Sequence, residues 1–287
     1  MTDLAAARRL RILEEVAENQ TPQDLTSYAE QFAVDERTIR RDLDFLQTLL
    51  ASVKQVGLHR GKIVASREGI GPGYFSDQVE KNSMEKQAIA VAVVNLLKDN
   101  VAVALTAGST TYHVARELRR AHVNGDRPKN TIVFTNSIPA LSEMITAGIS
   151  TGVLGEVYNA DDCAFHAHEF RSAFQASVAI VGASGAVANT TSGSLDLFSH
   201  RAEEAAFMKQ LLAPIPEIIV VTDSDKIGNR HPWAYTNANL LAMKKVKLVT
   251  TTLTEETRED LIALTESARK IGCSFEFIEV DINTNLS

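Results

Sequence analysis

Small residues with hydroxyl side chains follow directly after an apolar run near the middle of the chain. The run at 101–105 reads VAVAL, and residues 106–111 read TAGSTT. If the run is a strand and the hydroxyl residues open a helix, free backbone N–H groups and small donors meet at one place. Such a place binds anions, so the sequence predicts an anion or phosphate site at Gly108, Ser109, Thr110 and Thr111.

Polar residues also follow four other apolar runs. Asn136 follows the second run, Gly155-Glu156 the third, GASGAV the fourth, and TDSDKIG, with Asp223 and Lys226, the fifth. A sugar phosphate needs donors for its phosphate, amide and carboxylate partners for its hydroxyls, and a cation, and these residues supply all three. Each segment alone could form only a turn or a cap. Five converging segments favour a binding site.

From about residue 85 onward, apolar strands alternate with amphipathic helices. Strands are predicted at 101–105, 131–135, 150–154, 177–182, 217–222, 246–250 and 274–280. Helices are predicted at 86–99, 111–121, 138–148, 200–213 and 256–272. This alternation predicts an α/β fold of the Rossmann type, with a mostly parallel sheet covered on both faces. Ligands of such sheets bind outside the carboxyl ends of the strands.

The first 66 residues have a different pattern, of short helices and then a ribbon. One helix places Leu25, Ala29 and Phe32 on one face, and Asp35 can cap the next helix. In that helix a single apolar stripe is formed by Ile39, Leu43, Leu46 and Leu50. Residues 52–66 then alternate polar and apolar around two glycines, as a two-stranded wing would. Together these elements predict a winged helix-turn-helix, whose last helix enters the DNA major groove.

A cluster of cations coincides with this predicted DNA-binding element. Between residues 37 and 62 the cations are Arg37, Arg40, Arg41, Lys54, Arg60 and Lys62, and the anions are Asp42 and Asp44. The net charge of −7 discourages a nucleic-acid partner on average, but a local basic patch overrides that average. We expect the six cations and Thr38 to contact DNA. A helical hairpin with a solvated charged face is the alternative.

Length and composition favour two domains. The chain has 287 residues, of which 45% are hydrophobic and 23% are charged. We expect a DNA-binding domain at 1–66, a glycine-rich linker at 67–84 and an effector-binding and oligomerisation domain at 85–287. No long apolar run or signal-peptide pattern occurs, so a cytoplasmic location is expected. The two cysteines, Cys163 and Cys273, do not form a disulfide or zinc pattern.

Several of these motifs together resemble one family. RRLRILEEV followed by VDERTIRRDLDFL resembles the N-terminal winged helix-turn-helix of the DeoR family of bacterial transcription regulators. LTAGSTTYHVARELR, TNSIPAL, LGE, VGASGAV and TDSDKIG resemble, in the same order, the effector domain of that family. That domain is similar in fold to ribose-5-phosphate isomerase. The resemblance extends from about residue 4 to about residue 280.

The resemblance implies a transcription regulator, more specifically a repressor of carbohydrate metabolism genes. Its partners would be a double-stranded DNA operator, a phosphorylated sugar or related effector, and further copies in a homodimer or homotetramer. No membrane partner is expected. Residues 37–41 would read DNA. The residues implied to face the effector are Thr106, Gly108, Ser109, Thr110, Thr111, Asn136, Glu156, Asp223 and Lys226.

Three positions depart from the family pattern. Thr106 stands where the family usually has an acid, Glu156 stands where it has a second glycine, and Met208 or Lys209 stands where it has a lysine. These departures leave open a regulator whose effector domain acts only in oligomerisation. An isomerase-like enzyme is a further alternative, but Thr106 removes one carboxylate that could move a proton. No catalytic residue and no cofactor are expected.

A metal site is the last alternative. Asp161, Cys163, His166, His168 and Glu169 crowd together in residues 161–169. Metal sites draw on these residue types, but no third ligand has a fixed spacing. We therefore expect a polar loop and no metal.

Overall fold

The computed structural model divides the chain into two units, residues 1–77 and 78–287, and the division falls inside the predicted linker. The structure describes residues 8–9, 11–12, 23–49, 55–59, 62–66, 72–159, 163–167 and 175–282. Side chains are not described at residues 23, 43–49, 55–59, 62–66 and 72–74.

In the described part of the first unit, helices are followed by a β-ribbon. Its elements are β1 (Gln23–Asp24), α1 (Leu25–Gln31), α2 (Glu36–Leu49), β2 (Gln55–His59) and β3 (Lys62–Ser66). β2 and β3 pair antiparallel, and β1 adds a third strand beside β3. This is the predicted order of helix, turn, helix and wing. Strand β1 was not predicted, because two polar residues carry no alternation of their own.

The helices of this unit pack through the predicted apolar positions. Leu25, Ala29 and Ile39 are buried together with Ile12. The predicted cap at Asp35 is confirmed, since its carboxylate accepts a 2.7 Å hydrogen bond from the Thr38 N–H. Helix α2 starts immediately afterwards, so the cap fixes where the exposed arginines begin. The side chains of Leu43 and Leu46, and all of Leu50, lie outside the described residues.

The second unit alternates strands with helices. Its helices are α3 (Pro72–Glu80), which begins in the first unit, α4 (Ser83–Leu96), α5 (Ser109–Asn124), α6 (Ile138–Ala147), α7 (Ala202–Leu212), α8 (Ala238–Leu241) and α9 (Glu255–Ala268). Its strands are β4 (Ala102–Leu105), β5 (Ile132–Thr135), β6 (Thr151–Val153), β7 (Val157–Asn159), β8 (Ala164–His166), β9 (Val178–Gly182), β10 (Gly185–Asn189), β11 (Ser194–Ser199), β12 (Glu217–Val221), β13 (Trp233–Ala234), β14 (Lys245–Thr250) and β15 (Ser274–Glu279). Short 3₁₀ turns lie at Ser224–Lys226 and Arg269–Ile271.

A seven-stranded sheet forms the centre of the second unit. Its order is β15-β14-β12-β9-β4-β5-β6, and every neighbouring pair is parallel. The seven strands are the seven predicted apolar runs, so the predicted α/β class and parallel sheet are confirmed. Within the described residues, no helix has the length and apolarity required to cross a membrane.

Apolar cores cover both faces of this sheet. In β4, Val103 and Leu105 face one core, which includes residues of α4 and α5. Ala104 faces the other core, which includes residues of α7 and α9. Successive side chains of a strand point to opposite faces, so a sheet buried on both faces reads as a continuous apolar run. That is why these strands were visible in the sequence.

Two smaller β elements were not predicted. β10, β11 and β13 form an antiparallel sheet, and β7 and β8 form a two-stranded ribbon. The GASGAV stretch was interpreted as a loop leaving a strand, but only Ala183 and Ser184 are loop, and β10 starts at Gly185. A side chain at Gly185 would put its Cβ 2.2 Å from the Asn229 carbonyl oxygen. Glycine is therefore required here for close packing rather than for a turn.

Candidate functional site

The candidate site lies where the strand order of the sheet reverses. From β4 the chain proceeds to β5 and β6 on one side, and it then returns to β9 on the other side of β4. In open α/β sheets, ligands bind at such a reversal, outside the carboxyl ends of the strands. The residues that leave β4 and β9 at this edge are Thr106 and Ala183. The N–H of Thr106 donates to the Ile180 carbonyl at 3.1 Å and fixes the two strand ends to each other.

Helix α5 begins at this edge with its first turn uncapped by a side chain. Gly108 occupies the N-cap with φ +147° and ψ 158°, and no side chain among the described residues accepts from the first turn. The Thr111 hydroxyl donates to the Gly108 carbonyl at 3.0 Å. Ser109 and Thr110 are 8% and 3% exposed. N–H groups at a helix N-terminus attract anions, and glycine allows the backbone to adopt this conformation.

Asn136, at the end of β5, holds the loop before this helix. Its Oδ1 accepts from the Ala107 N–H at 2.8 Å, and its Nδ2 donates to the Phe165 carbonyl at 3.0 Å. Both ends of the amide are therefore engaged within the protein. Asn136 lies beside the predicted site, where it positions the loop.

A buried network of charges lies at the end of β12. Asp223 is 2% exposed, and its Oδ2 is 3.6 Å from the Lys226 Nζ and 3.8 Å from the Lys86 Nζ. Lys226 remains about a quarter exposed. The two predicted residues, Asp223 and Lys226, are thus in contact, and Lys86 joins them.

Lys86 was missed by the sequence analysis. It is completely buried in α4, where burial lowers its pKa to about 8 against the opposing attraction of Asp223. A signal was present, because Lys86 precedes Ile89 and Val93 by three and seven residues and so lies on the buried stripe of that helix. A lysine at a buried helical position is uncommon unless it is paired.

Buried oxygen atoms without a hydrogen-bond partner also mark this edge. Within the described part of the chain they include Thr106 Oγ1, Asp223 Oδ1 and Thr250 Oγ1, which all lie at the carboxyl ends of strands. An unsatisfied buried polar group costs about 1–3 kcal/mol. A ligand with several hydroxyl groups would remove that cost at Thr106 and Asp223.

Two histidines lie near the end of β9. The ring centroids of His200 and His231 are 3.9 Å apart, and His231 Nε2 is 3.0 Å from the Ser184 carbonyl oxygen. Burial lowers the pKa of His200, and the charges of His231 and Lys226 lower it further. The pair is separated by 31 positions in the sequence, so only the fold brings it together.

The positions that depart from the family pattern differ in their surroundings. Glu156 is exposed, and its backbone N–H donates to the His166 carbonyl at 2.9 Å. Met208 is 3% exposed in the apolar core, whereas Lys209 is exposed. Within the part of the chain that the structure describes, no hydrogen bond or ion pair joins these three side chains to Gly108 or Asp223. Thr106 is the departure that lies within the site.

No group of three or more His, Cys, Asp or Glu side chains arranged to hold a metal ion is found among the described residues. Cys163 and His166 belong to the predicted polar loop, and they lie in or beside β8. Asp161, His168 and Glu169 lie outside the described residues.

The first unit presents a basic helix surface. Arg37, Arg40 and Arg41 are exposed on α2. Thr38 is half-buried beside the capping carboxylate of Asp35, whose pKa is lowered by the hydrogen bonds from Thr38. Lys54 and Arg60 lie outside the described residues, as does the side chain of Lys62.

Asp42 does not offset this basic surface. It is 2% exposed and accepts from Arg8 Nε at 2.5 Å and from Arg9 Nε at 2.6 Å. Asp42 is one of the two anions of the patch in the sequence, but its side chain is buried in the structure. The exposed charge of the first part of α2 is therefore more positive than the sequence indicated.

Comparison with known proteins gives a family for the second unit. The model of the DeoR C-terminal sensor domain matches residues 81–250. This stretch contains β4, β9 and β12, and therefore every residue of the candidate site from Lys86 to Lys226.

Curated relatives of the chain are transcription regulators. The L-fucose operon activator of Escherichia coli K12 is 28% identical over 141 residues, which cover 49% of this chain and 54% of that protein. The HTH-type transcriptional regulator GolR of Listeria innocua is 30% identical over 146 residues, covering 46% of this chain and 56% of that protein. The chain thus spans little more than half the length of these relatives.

Among solved structures, ribose 5-phosphate isomerase from Plasmodium falciparum is similar to 51% of this chain, over 53% of its own length. The identity is 19% and the TM-score is 0.38. At this level, the likeness adds nothing to the fold seen directly in the sheet.

Proposed function

The chain belongs to the DeoR family through its C-terminal sensor domain, and we propose that it is a DNA-binding transcription regulator controlled by a phosphorylated sugar. The first unit would bind the operator, and the second unit would bind the effector. By the family resemblance the regulator is a repressor of carbohydrate genes, and it acts as a homodimer or homotetramer.

The DNA contact is proposed for helix α2 and the wing. The exposed guanidinium groups of Arg37, Arg40 and Arg41 suit phosphate oxygens and the edges of guanine bases. Residues of the wing, with Lys54, Arg60 and Lys62, would contact the DNA backbone. Symmetric copies would place two such helices in successive major grooves.

One observation supports the effector site above all others. An uncapped helix N-terminus lies at the reversal of the sheet, in the same region as two buried oxygen atoms that have no hydrogen-bond partner among the described residues. The phosphate would accept from the N–H groups of residues 108–111 and from Lys226. The sugar hydroxyls would pair with Thr106 Oγ1 and Asp223 Oδ1.

The same contacts are the reason for proposing a sensor rather than an enzyme. An isomerase base must be positioned to move a proton between two carbon atoms. The Oδ2 of Asp223 lies instead between two ammonium groups, at 3.6 and 3.8 Å. This arrangement suits a carboxylate that fixes a ligand. The curated relatives are regulators as well.

A gel-shift titration tests the proposal. The DNA upstream of the gene for this protein is titrated with the full chain, with and without a panel of pentose and hexose phosphates. We expect binding in the absence of sugar and a shift in affinity with one class of sugar phosphate. Coupling of about 1–3 kcal/mol would change the operator affinity roughly 5- to 150-fold.

Two variants assign the parts of this response. Lys226→Ala should remove the response to the sugar phosphate, while the variant still binds the operator without sugar, and the exposed Lys209→Ala is its control. Arg41→Ala should lower the slope of log K against log salt by about 0.9 if Arg41 contacts one phosphate. Arg116→Ala, an exposed arginine of the second unit, is the control for that slope. A full sugar response in Lys226→Ala would place the anion site elsewhere.

A further inference from the structure

Two buried side chains of the second unit hold the end of the helix that connects it to the first unit. We call α3 (Pro72–Glu80) the connecting helix. The Lys86 ammonium donates to the Gln78 carbonyl at 2.5 Å and to the Lys81 carbonyl. The His113 ring nitrogen Nε2 lies 3.1 Å from the Val79 carbonyl oxygen. The last carbonyls of a helix have no partner within it, so these contacts determine how that end is held.

Both side chains also belong to the elements that form the candidate site. Lys86 Nζ is 3.8 Å from Asp223 Oδ2. His113 follows Ser109 by four residues, so it lies one turn along the helix whose N-terminus is the predicted phosphate site. The two side chains that contact the end of the connecting helix therefore lie on α4 and α5, the helices that also carry residues of the candidate site.

A second set of contacts joins the same two regions. The Asn82 side chain donates from Nδ2 to Asp225 Oδ2 at 3.1 Å. The Ser224 hydroxyl donates to Glu85 Oε2 at 3.4 Å. Asn82, just after the connecting helix, and Glu85, in the first turn of α4, are thus bonded to the 3₁₀ turn that carries Lys226.

The charge network makes these contacts sensitive to a ligand. The Asp223 carboxylate is shared between the ammonium groups of Lys86 and Lys226, and the Lys86 ammonium is shared between Asp223 and two backbone carbonyls. A phosphate that attracts the Lys226 ammonium away from Asp223 would leave the Asp223 carboxylate paired with Lys86 alone. Interactions between charges are stronger at a buried site than in water, and Lys86 is completely buried. A change at Asp223 therefore alters how firmly Lys86 holds the carbonyls.

We propose that Lys86 couples the effector site to the DNA-binding unit by holding the end of the connecting helix in a way that depends on Asp223. This inference rests on the proposed function, because it assumes an effector at the site and an operator at the first unit. It assigns to Lys86 a positioning role. Lys226 shares the same carboxylate, but in the described part of the chain it makes no hydrogen bond or ion pair with the connecting helix.

A double-mutant cycle on operator affinity tests the coupling without any ligand. The full chain is titrated with the DNA upstream of its own gene as wild type, Asp223→Asn, Lys86→Met and the double variant. A second cycle replaces Lys86→Met by Lys226→Met. Lys226 is the matched control, because it has the same type of side chain and contacts the same carboxylate oxygen. Thermal melting verifies that each variant is folded.

We expect Asp223→Asn to change operator affinity roughly fivefold or more in the wild-type and Lys226→Met backgrounds, and not in the Lys86→Met background. An equal change in all three backgrounds, or no change in any, would overturn the inference. If the wild type does not bind this DNA, the proposed function fails and the inference fails with it.

Asp223→Asn removes a buried charge and could prevent folding. In that case the exposed Asp225→Ala takes its place, since it breaks the bond to Asn82 from the surface. Hydrogen exchange of the backbone amides at residues 81–85 should then be faster. Operator affinity should change in the same direction as operator affinity does in Lys86→Met. Faster exchange without any change in operator affinity would overturn the inference.

Discussion

Replacing Thr106 by valine distinguishes a site that binds an effector from a site that has lost effector binding. The Thr106 hydroxyl is buried at 2% exposure and has no hydrogen-bond partner among the described residues. Valine has nearly the same shape, so the change removes an unsatisfied group that costs about 1–3 kcal/mol. We expect Thr106→Val to raise the free energy of unfolding by about 1 kcal/mol in the ligand-free protein.

The same change should weaken binding of the effector. One lost hydrogen bond of about 0.5–1.5 kcal/mol lowers affinity roughly two- to tenfold. Thr131→Val is the matched control, since Thr131 Oγ1 is also buried with no partner in the described part of the chain, but Thr131 precedes β5, at the opposite edge of the sheet. It should be stabilised to a similar degree, with unchanged affinity.

Urea unfolding measures the stabilities, and calorimetric titration with the sugar phosphate that shifts operator binding measures the affinities. A destabilised Thr106→Val would show that the hydroxyl is satisfied in solution. Equal affinities in the two variants would show that Thr106 does not touch the effector. Either result would refute the reasoning.

Two further predictions concern the backbone of α5 and the buried lysine. Gly108→Ala should cost about 1–3 kcal/mol and abolish binding of the sugar phosphate, because φ at Gly108 is +147° and the N–H groups would be re-aimed. Gly125→Ala at the other end of the helix, with φ +72° and open space around it, should cost about 1–2 kcal/mol and leave binding intact, as urea unfolding and calorimetry would show. Burial lowers the pKa of Lys86 from 10.5 to about 8, so between these pH values the unfolded chain keeps a proton that the folded chain has lost. The free energy of unfolding should therefore rise with pH in this range. Compared with Lys86→Met, the rise should be at most about 1.4 kcal/mol per pH unit. A pH dependence identical in the two proteins would show that Lys86 keeps its proton when folded.

The sequence was most informative where burial is uniform. Each strand of the parallel sheet is a short apolar run, and Gly148 and Gly272 end helices in the left-handed conformation that favours glycine. The small antiparallel sheet carried no such signal. β10 consists mostly of small residues and begins with a glycine that is needed for packing, and buried and exposed positions do not alternate along it, so residue type gave no strand pattern.

The candidate site was predictable in part. Gly108 and Asp223 follow apolar runs, and this local signal is sufficient to place them at one edge of a parallel sheet. Lys86 and the pair of His200 and His231 depend on which strand lies beside which. That information comes from the packing of the whole sheet, which no local pattern contains.

The buried charges bear on whether the second unit senses a metabolite or only joins copies of the chain. Burying an ion pair costs desolvation that its attraction often fails to offset, and apolar residues of similar size are often as stable or more so. Lys86 and Asp223 are both almost fully buried, and Asp223 Oδ1 is also unpaired among the described residues. A domain that serves only to hold copies together gains nothing from this cost. In a domain that binds a polar ligand the cost has a use, because the ligand supplies the missing hydrogen-bond partner. Only the bound state then has every buried polar atom of the site paired. The unpaired carboxylate oxygen is therefore a reason to expect that the site is used.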